Sequence, residues 1–177
     1  MKHFEVIPEC YVDTNLISTL ISSKVNHQYG CSKVSCILEK TMKDRFAIGI
    51  IDKDKKMKNL KYVEHFDLIA QREHIALHKH PMKPHYFILI KPAADKFIMD
   101  SAEAIGINLT DYGLPTSLKD FIKVTKQEDS NEDPVLTRLI KDIAESPEMK
   151  ALKASLAYLL EHKFSVNVDE LKNVFLA

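Results

Sequence analysis

The run Phe46-Ala-Ile-Gly-Ile-Ile51, followed at once by Asp52-Lys53-Asp54, most constrains what this chain can fold into. Six apolar residues rich in isoleucine, bounded by charge, suit a strand buried on both faces of a sheet. In open α/β sheets, ligands collect beyond the carboxyl ends of the strands. Two carboxylates two residues apart at that edge, Asp52 and Asp54, are the oxygen donors a hard divalent cation prefers. Alone, the pattern also fits a polar turn after a core strand.

The surrounding sequence reads as alternating α and β elements. Residues 4–8, Phe-Glu-Val-Ile-Pro, form a first strand. Asp13 or Thr14 offers an N-cap for a helix through Ile21. Gly30 marks a break, and Ser32 caps a second helix with Val34, Ile37, Leu38 and Met42 on one side. The DxD strand follows, so strand, helix, helix and strand imply an α/β layer with partly parallel pairing. Residues 66–70, 75–78 and 86–90 read as further strands, and a helix runs from Ala93 to a stop at Gly106. Beyond it the pattern is helical, with residues 127–133 an acidic linker and Pro134 and Pro147 at helix starts. The expected organisation is an α/β part over residues 1–110 and a helical part over residues 111–177 packed on it.

Composition narrows the class. Apolar residues make up 45% of the 177 and charged residues 28%, the balance of a soluble globular protein. No apolar run approaches the roughly 20 residues needed to span a bilayer, and the N-terminus lacks the apolar stretch of a signal peptide. The three cysteines, Cys10, Cys31 and Cys36, form no dense framework, which points to a reducing, cytoplasmic setting. Residues 1–91 carry 15 Lys and Arg against 10 Asp and Glu, and residues 92–177 carry the reverse excess. A basic half around an acidic site suits a polyanion, and it equally suits a solvated surface. Four glycines and no GxxxxGK[ST] or GxGxxG argue against a glycine-rich nucleotide cradle.

Set beside the DxD strand, the first strand gains meaning. Glu9 ends it, Asp13 stands four residues on, a helix follows, and a later strand ends in Asp52-Lys-Asp54. This arrangement resembles the TOPRIM domain of bacterial primases, topoisomerases and OLD-type nucleases, and Glu9-Cys-Tyr-Val-Asp13 is similar to the primase form with cysteine in place of glycine. The resemblance covers roughly residues 4–60. It implies a mostly parallel sheet flanked by helices, with Glu9 as general acid/base or metal ligand. It further implies Asp52 and Asp54 as ligands of Mg²⁺ or Mn²⁺, Asp13 as a supporting acid, and phosphodiester chemistry on DNA or RNA. Bridging metals stabilise both oxygens of an in-line displacement, which accounts for clustered carboxylates in such a site. Lys53, Lys55 and Lys56 are candidates for phosphate contact. The chain departs from the family at Cys10, at the short stretch between Ile21 and Ser32, and after Asp54, where lysines follow instead of glycine.

A second resemblance uses the same residues differently. Tyr11-Val-Asp-Thr-Asn-Leu-Ile17 is similar to the opening of PIN-domain ribonucleases, which implies Asp13 as first metal ligand, completed by acids such as Glu39, Asp95 or Asp100. Pro8 counts against a central strand there, because proline lacks the ladder donor. A third reading, from a different class, is a non-catalytic interaction domain with a degenerate TOPRIM-like fold. Its C-terminal helices would bind a protein partner or a second copy; the stripe Leu152, Leu156, Leu159 and Leu160 suits a core face or a dimer seam. His74, His78, His80 and His85 cluster in sequence, but Pro81 and Pro84 interrupt a helical zinc pair, and a polar sheet edge is the simpler reading.

Overall fold

The computed structural model describes residues 2–53 and 60–177. The chain is mixed α/β. Strands β1 (Lys2–His3), β2 (Val6–Pro8), β3 (Lys24–Val25) and β4 (Ala47–Asp52) occupy the first third, with helices α1 (Tyr11–Leu20) and α2 (Cys31–Cys36) between them. Helix α2 widens into a π-helical turn over Ile37–Met42. Then come β5 (Asp67–Gln71), β6 (Ile75–Lys79), β7 (His85–Ile90) and α3 (Ala94–Ala104). Helices α4 (Leu118–Thr125), α5 (Pro134–Ile143), α6 (Pro147–His162) and α7 (Val168–Leu176) complete the chain.

Five strands make the main sheet in the order β2-β4-β7-β6-β5. Strands β2, β4 and β7 run parallel, whereas β6 and β5 are antiparallel to their neighbours. The sheet is therefore mixed rather than mostly parallel. The reason lies in connection length: parallel neighbours need a crossover, but β5, β6 and β7 are joined by short turns that only antiparallel pairing accommodates.

Strand β4 lies between β2 and β7, and its alternation divides the core in two. Ile48 and Ile50 face one layer with Val6, Tyr86 and Ile88. That layer is closed by α1, α3 and the C-terminal helices, down to Leu171 and Phe175. Ala47 and Ile51 face the other, against Val34, Leu38 and Met42 of the α2 segment and against Tyr62 and Phe66. An apolar run without alternation is what a strand covered on both faces requires. Between them Gly49 admits the ring of Phe87: a Cβ at position 49 would stand 2.4 Å from Phe87 Cε1.

Strand β2 stands at the sheet margin, where Pro8 costs no ladder bond. Its outer side is not bare. The amides of Asn26, Gln28 and Gly30 donate to the carbonyls of Val6, Pro8 and Glu9 at 2.9, 3.0 and 2.8 Å. Strand β3 and this segment thus occupy the short stretch after Ile21, with β3 pairing β1 in a small parallel ladder.

Helix α1 begins at Tyr11, with Cys10 as N-cap, rather than at an Asp13 or Thr14 cap. Asp13 lies in the first turn with its carboxyl turned inward, and the Thr14 hydroxyl bonds back to the Cys10 carbonyl at 2.7 Å. Helix α2 similarly starts after Gly30 and not at Ser32. Capping by Asp133 and Asn167 follows the usual rule, each side-chain oxygen accepting two backbone amides. Among the described residues, no helix is long and apolar enough to cross a membrane.

Candidate metal centre

Strands β2 and β4 pair in parallel with Pro8 opposite Ile50, so both end at one edge of the sheet. Glu9 follows directly on β2, and Asp52 is the last residue of β4. The first turn of α1 brings Asp13 over the same edge. One carboxylate oxygen from each of Glu9, Asp13 and Asp52 lies within 4.8 Å of the others.

Each acid is held by local structure. Asp52 Oδ1 accepts the Ala94 amide at 3.0 Å, at the first turn of α3. A free amide at a helix N-terminus favours a negative partner, so α3 both orients Asp52 and supports its charge. Asp13 is fully buried. Its Oδ2 accepts the Cys10 thiol at 2.9 Å, while its Oδ1 is buried with no hydrogen-bond partner. The Glu9 backbone is fixed by the Gly30 amide.

The electrostatics follow from burial and crowding. Desolvation pushes the Asp13 carboxyl well above its ordinary range, and the charges of Asp52, Glu9 and Asp95 push the same way. The Cys10 hydrogen bond opposes them. The thiol is raised in turn by its own burial and by Asp13. Three carboxylates that repel one another around a buried, unpartnered oxygen are a strained arrangement that a cation relieves. Mg²⁺ holds oxygens at about 2.1 Å, placing opposite ligands about 4.2 Å apart. The three oxygens lie within 4.8 Å of one another, close to that span. Glu9, Asp13 and Asp52 therefore fit a hard divalent cation.

The other candidate residues sort clearly. Asp54, Lys55 and Lys56 lie outside the described residues. Lys53 leaves the sheet edge exposed, its amide bonded to the Ile90 carbonyl at 2.7 Å. It raises the cost of charge on Lys91 and His78, which marks all three as neighbours. Asp95 is buried and takes the Thr125 hydroxyl. Glu39 is exposed on the π-helical turn. Asp100 belongs elsewhere, with His74 and Lys96. Asn15 is a structural clamp: its amide donates to the Ser130 carbonyl at 2.8 Å, and its oxygen accepts the Thr137 hydroxyl at 2.9 Å.

The histidines do not form one cluster. His74 bridges Asp100 and Glu148, and His85 is buried between Tyr62 and the Arg45 carbonyl. Sequence reasoning missed the Cys10 donor, the Ala94 amide and the neighbouring rings of Tyr11, His27 and Tyr29. Spacing carries no signal for a backbone amide 42 residues from its acceptor. Compared with family models, curated proteins and solved structures, the chain gives no match.

Proposed function

We propose that the protein is a divalent-metal-dependent phosphodiesterase acting on nucleic acid. The observation that carries this reading is the convergence of Glu9, Asp13 and Asp52 around a buried carboxylate oxygen that lacks a partner. Together with the sequence resemblance to TOPRIM domains, it supports a cation site at the carboxyl edge of β2 and β4. The PIN-like reading shares Asp13 and the same chemistry; Asn15 is engaged in holding α1 to α5.

A bound Mg²⁺ or Mn²⁺ would supply Lewis-acid stabilisation of the charge that develops on a phosphodiester. Asp52, braced by the Ala94 amide, and Asp13, braced by Cys10, orient ligand oxygens. Glu9, half-buried at the strand end as Asp52 is, suits a ligand or general-base role. Lys53, exposed just past β4, offers positive charge to a phosphate, whereas the Lys91 ammonium donates to the Arg72 carbonyl at 2.9 Å.

The test is direct. Purified protein with Mg²⁺ or Mn²⁺ should cut a DNA or RNA substrate, and Asp52→Ala should abolish cutting while the protein stays folded. Cutting that survives Asp52→Ala overturns the assignment.

A further inference from the structure

Beside the carboxylates stands a group of three rings that the site chemistry does not use. Tyr11 and His27 are stacked, with ring centroids 4.8 Å apart and planes at 16°. Tyr29 meets both edge-on, at 5.7 Å from Tyr11 and 4.7 Å from His27. The Tyr11 hydroxyl donates to that of Tyr29 at 3.3 Å. Despite these contacts Tyr29 is 72% exposed. A single exposed aromatic residue needs no explanation, but three rings braced together on the rim of an acidic cluster do.

Their position follows from the backbone. Residues 26–30 run along β2, bonded through alternate amides of Asn26, Gln28 and Gly30. The residues between, His27 and Tyr29, therefore share one side of that segment. The Gly30 amide closes on the Glu9 carbonyl at 2.8 Å, which pins Tyr29 next to the carboxylate edge. Tyr11 opens α1 midway between Glu9 and Asp13, and Thr14 holds His27 Nδ1 at 2.7 Å. The rings thus lie on the β2 side of the acids, while Lys53 leaves β4 on the β7 side, its amide on the Ile90 carbonyl.

We propose that Tyr11, His27 and Tyr29 form a stacking platform for an unpaired nucleobase, with the strand running across the carboxylates toward Lys53. The choice of nucleic acid as ligand rests on the phosphodiesterase reading. The three rings suit a base, whereas the exposed Lys53 on the other side suits the phosphate backbone. Burial also disfavours the charged form of His27, leaving a neutral ring for stacking. A duplex hides its base faces, so the platform selects single strands, for which stacking on aromatic rings is the common device.

The experiment is fluorescence anisotropy with a labelled single-stranded oligonucleotide of ~10 nucleotides, matched to one binding groove, and with a hairpin duplex, both in Ca²⁺. Tyr29→Ala, at an exposed position, should weaken single-strand binding by about tenfold. Tyr29→Phe should bind as the wild type does, and duplex affinity should not move. Single-strand affinity unchanged by Tyr29→Ala, or wild-type protein that binds no single strand, overturns the platform. The two readings separate cleanly. Tyr29-dependent binding without cleavage in Mg²⁺ supports the platform and overturns hydrolysis. Cleavage with binding indifferent to Tyr29 does the reverse.

Discussion

The Cys10 thiol donates to Asp13 Oδ2 at 2.9 Å, tying the N-cap of α1 to the most deeply buried acid of the site. Cys10 is therefore engaged with the carboxylates. It satisfies one Asp13 oxygen, while the other is buried with no hydrogen-bond partner.

That relationship sets the behaviour of Asp13. Its folded pKa is raised above the ordinary carboxylate value by burial and by Asp52. The folded protein then holds this proton more tightly than the unfolded chain, so the stabilisation is full at low pH and is lost as pH rises through the folded value. Without metal, Asp13→Asn should be more stable than wild type at pH 8, by about 1 kcal/mol or 2–4 °C in Tm. The gap should close toward pH 4. Millimolar Mg²⁺ should raise the wild-type Tm and leave that of Asp13→Asn in place. Differential scanning fluorimetry in EDTA and in Mg²⁺ reads both; a variant less stable than wild type at pH 8 without metal would refute the account.

Gly49 governs how closely β4 approaches β7. An added Cβ meets Phe87 Cε1 at 2.4 Å and Val34 Cγ1 at 3.1 Å, and Phe87 is fully buried with nowhere to retreat. Gly49→Ala should cost about 1–3 kcal/mol through overpacking. Adding Phe87→Leu, which removes the clashing ring edge, should return part of that loss relative to Phe87→Leu alone. Chemical denaturation of the two single variants and the double variant measures the coupling, and strictly additive losses would count against the contact.

Much of this site is legible from the chain because it depends on strand ends. Ile48, Gly49, Ile50 and Ile51 mark a doubly covered strand, and a polar residue after such a run must lie at the sheet edge. Glu9 after Val6-Ile7-Pro8 obeys the same logic. What stayed hidden depends on tertiary pairing. The two-residue strands β1 and β3 are too short for periodicity to register. The antiparallel turn from β6 to β7 is masked by the histidines and prolines of residues 78–85. Asp13 resembles a helix cap because capping rules weigh residue type and not the direction of the carboxyl, which here turns toward Asp52. His27 and Tyr29 carry no pattern that points to Tyr11; only the bonding of residues 26–30 to β2 joins them.

His74 links three elements that are distant in sequence. Its ring lies between Asp100 of α3, at 2.8 Å, and Glu148 of α6, at 2.6 Å, and its amide also donates to Glu148. Lys96 retains Asp100, and Arg72 lies 3.9 Å from Glu148, so neither acid is abandoned when the ring is removed. His74→Ala should therefore cost about 1–2 kcal/mol, below the range for an orphaned buried charge. Thermal melts should show Tm lower by several degrees. A loss below about 0.5 kcal/mol would place the bridge among surface pairs of little consequence.

His85 provides the acid limit of the fold. It is fully buried. The Arg45 carbonyl can only accept, so Nε2 carries the proton and donates at 3.0 Å. Nδ1 then accepts the Tyr62 hydroxyl at 2.7 Å, which fixes the neutral tautomer. Burial lowers its pKa to about 4. An unfolded histidine titrates near 6.5, so between these values the unfolded chain binds the extra proton. Stability is complete above about pH 6.5 and falls as pH drops, with the loss fully expressed below about pH 4. The expected total is about 3 kcal/mol. His85→Gln cannot take up that proton, so its stability relative to wild type should improve by this amount between pH 7 and pH 4. Urea unfolding at both pH values measures it, and parallel pH profiles for the two proteins would show that His85 is not the group responsible.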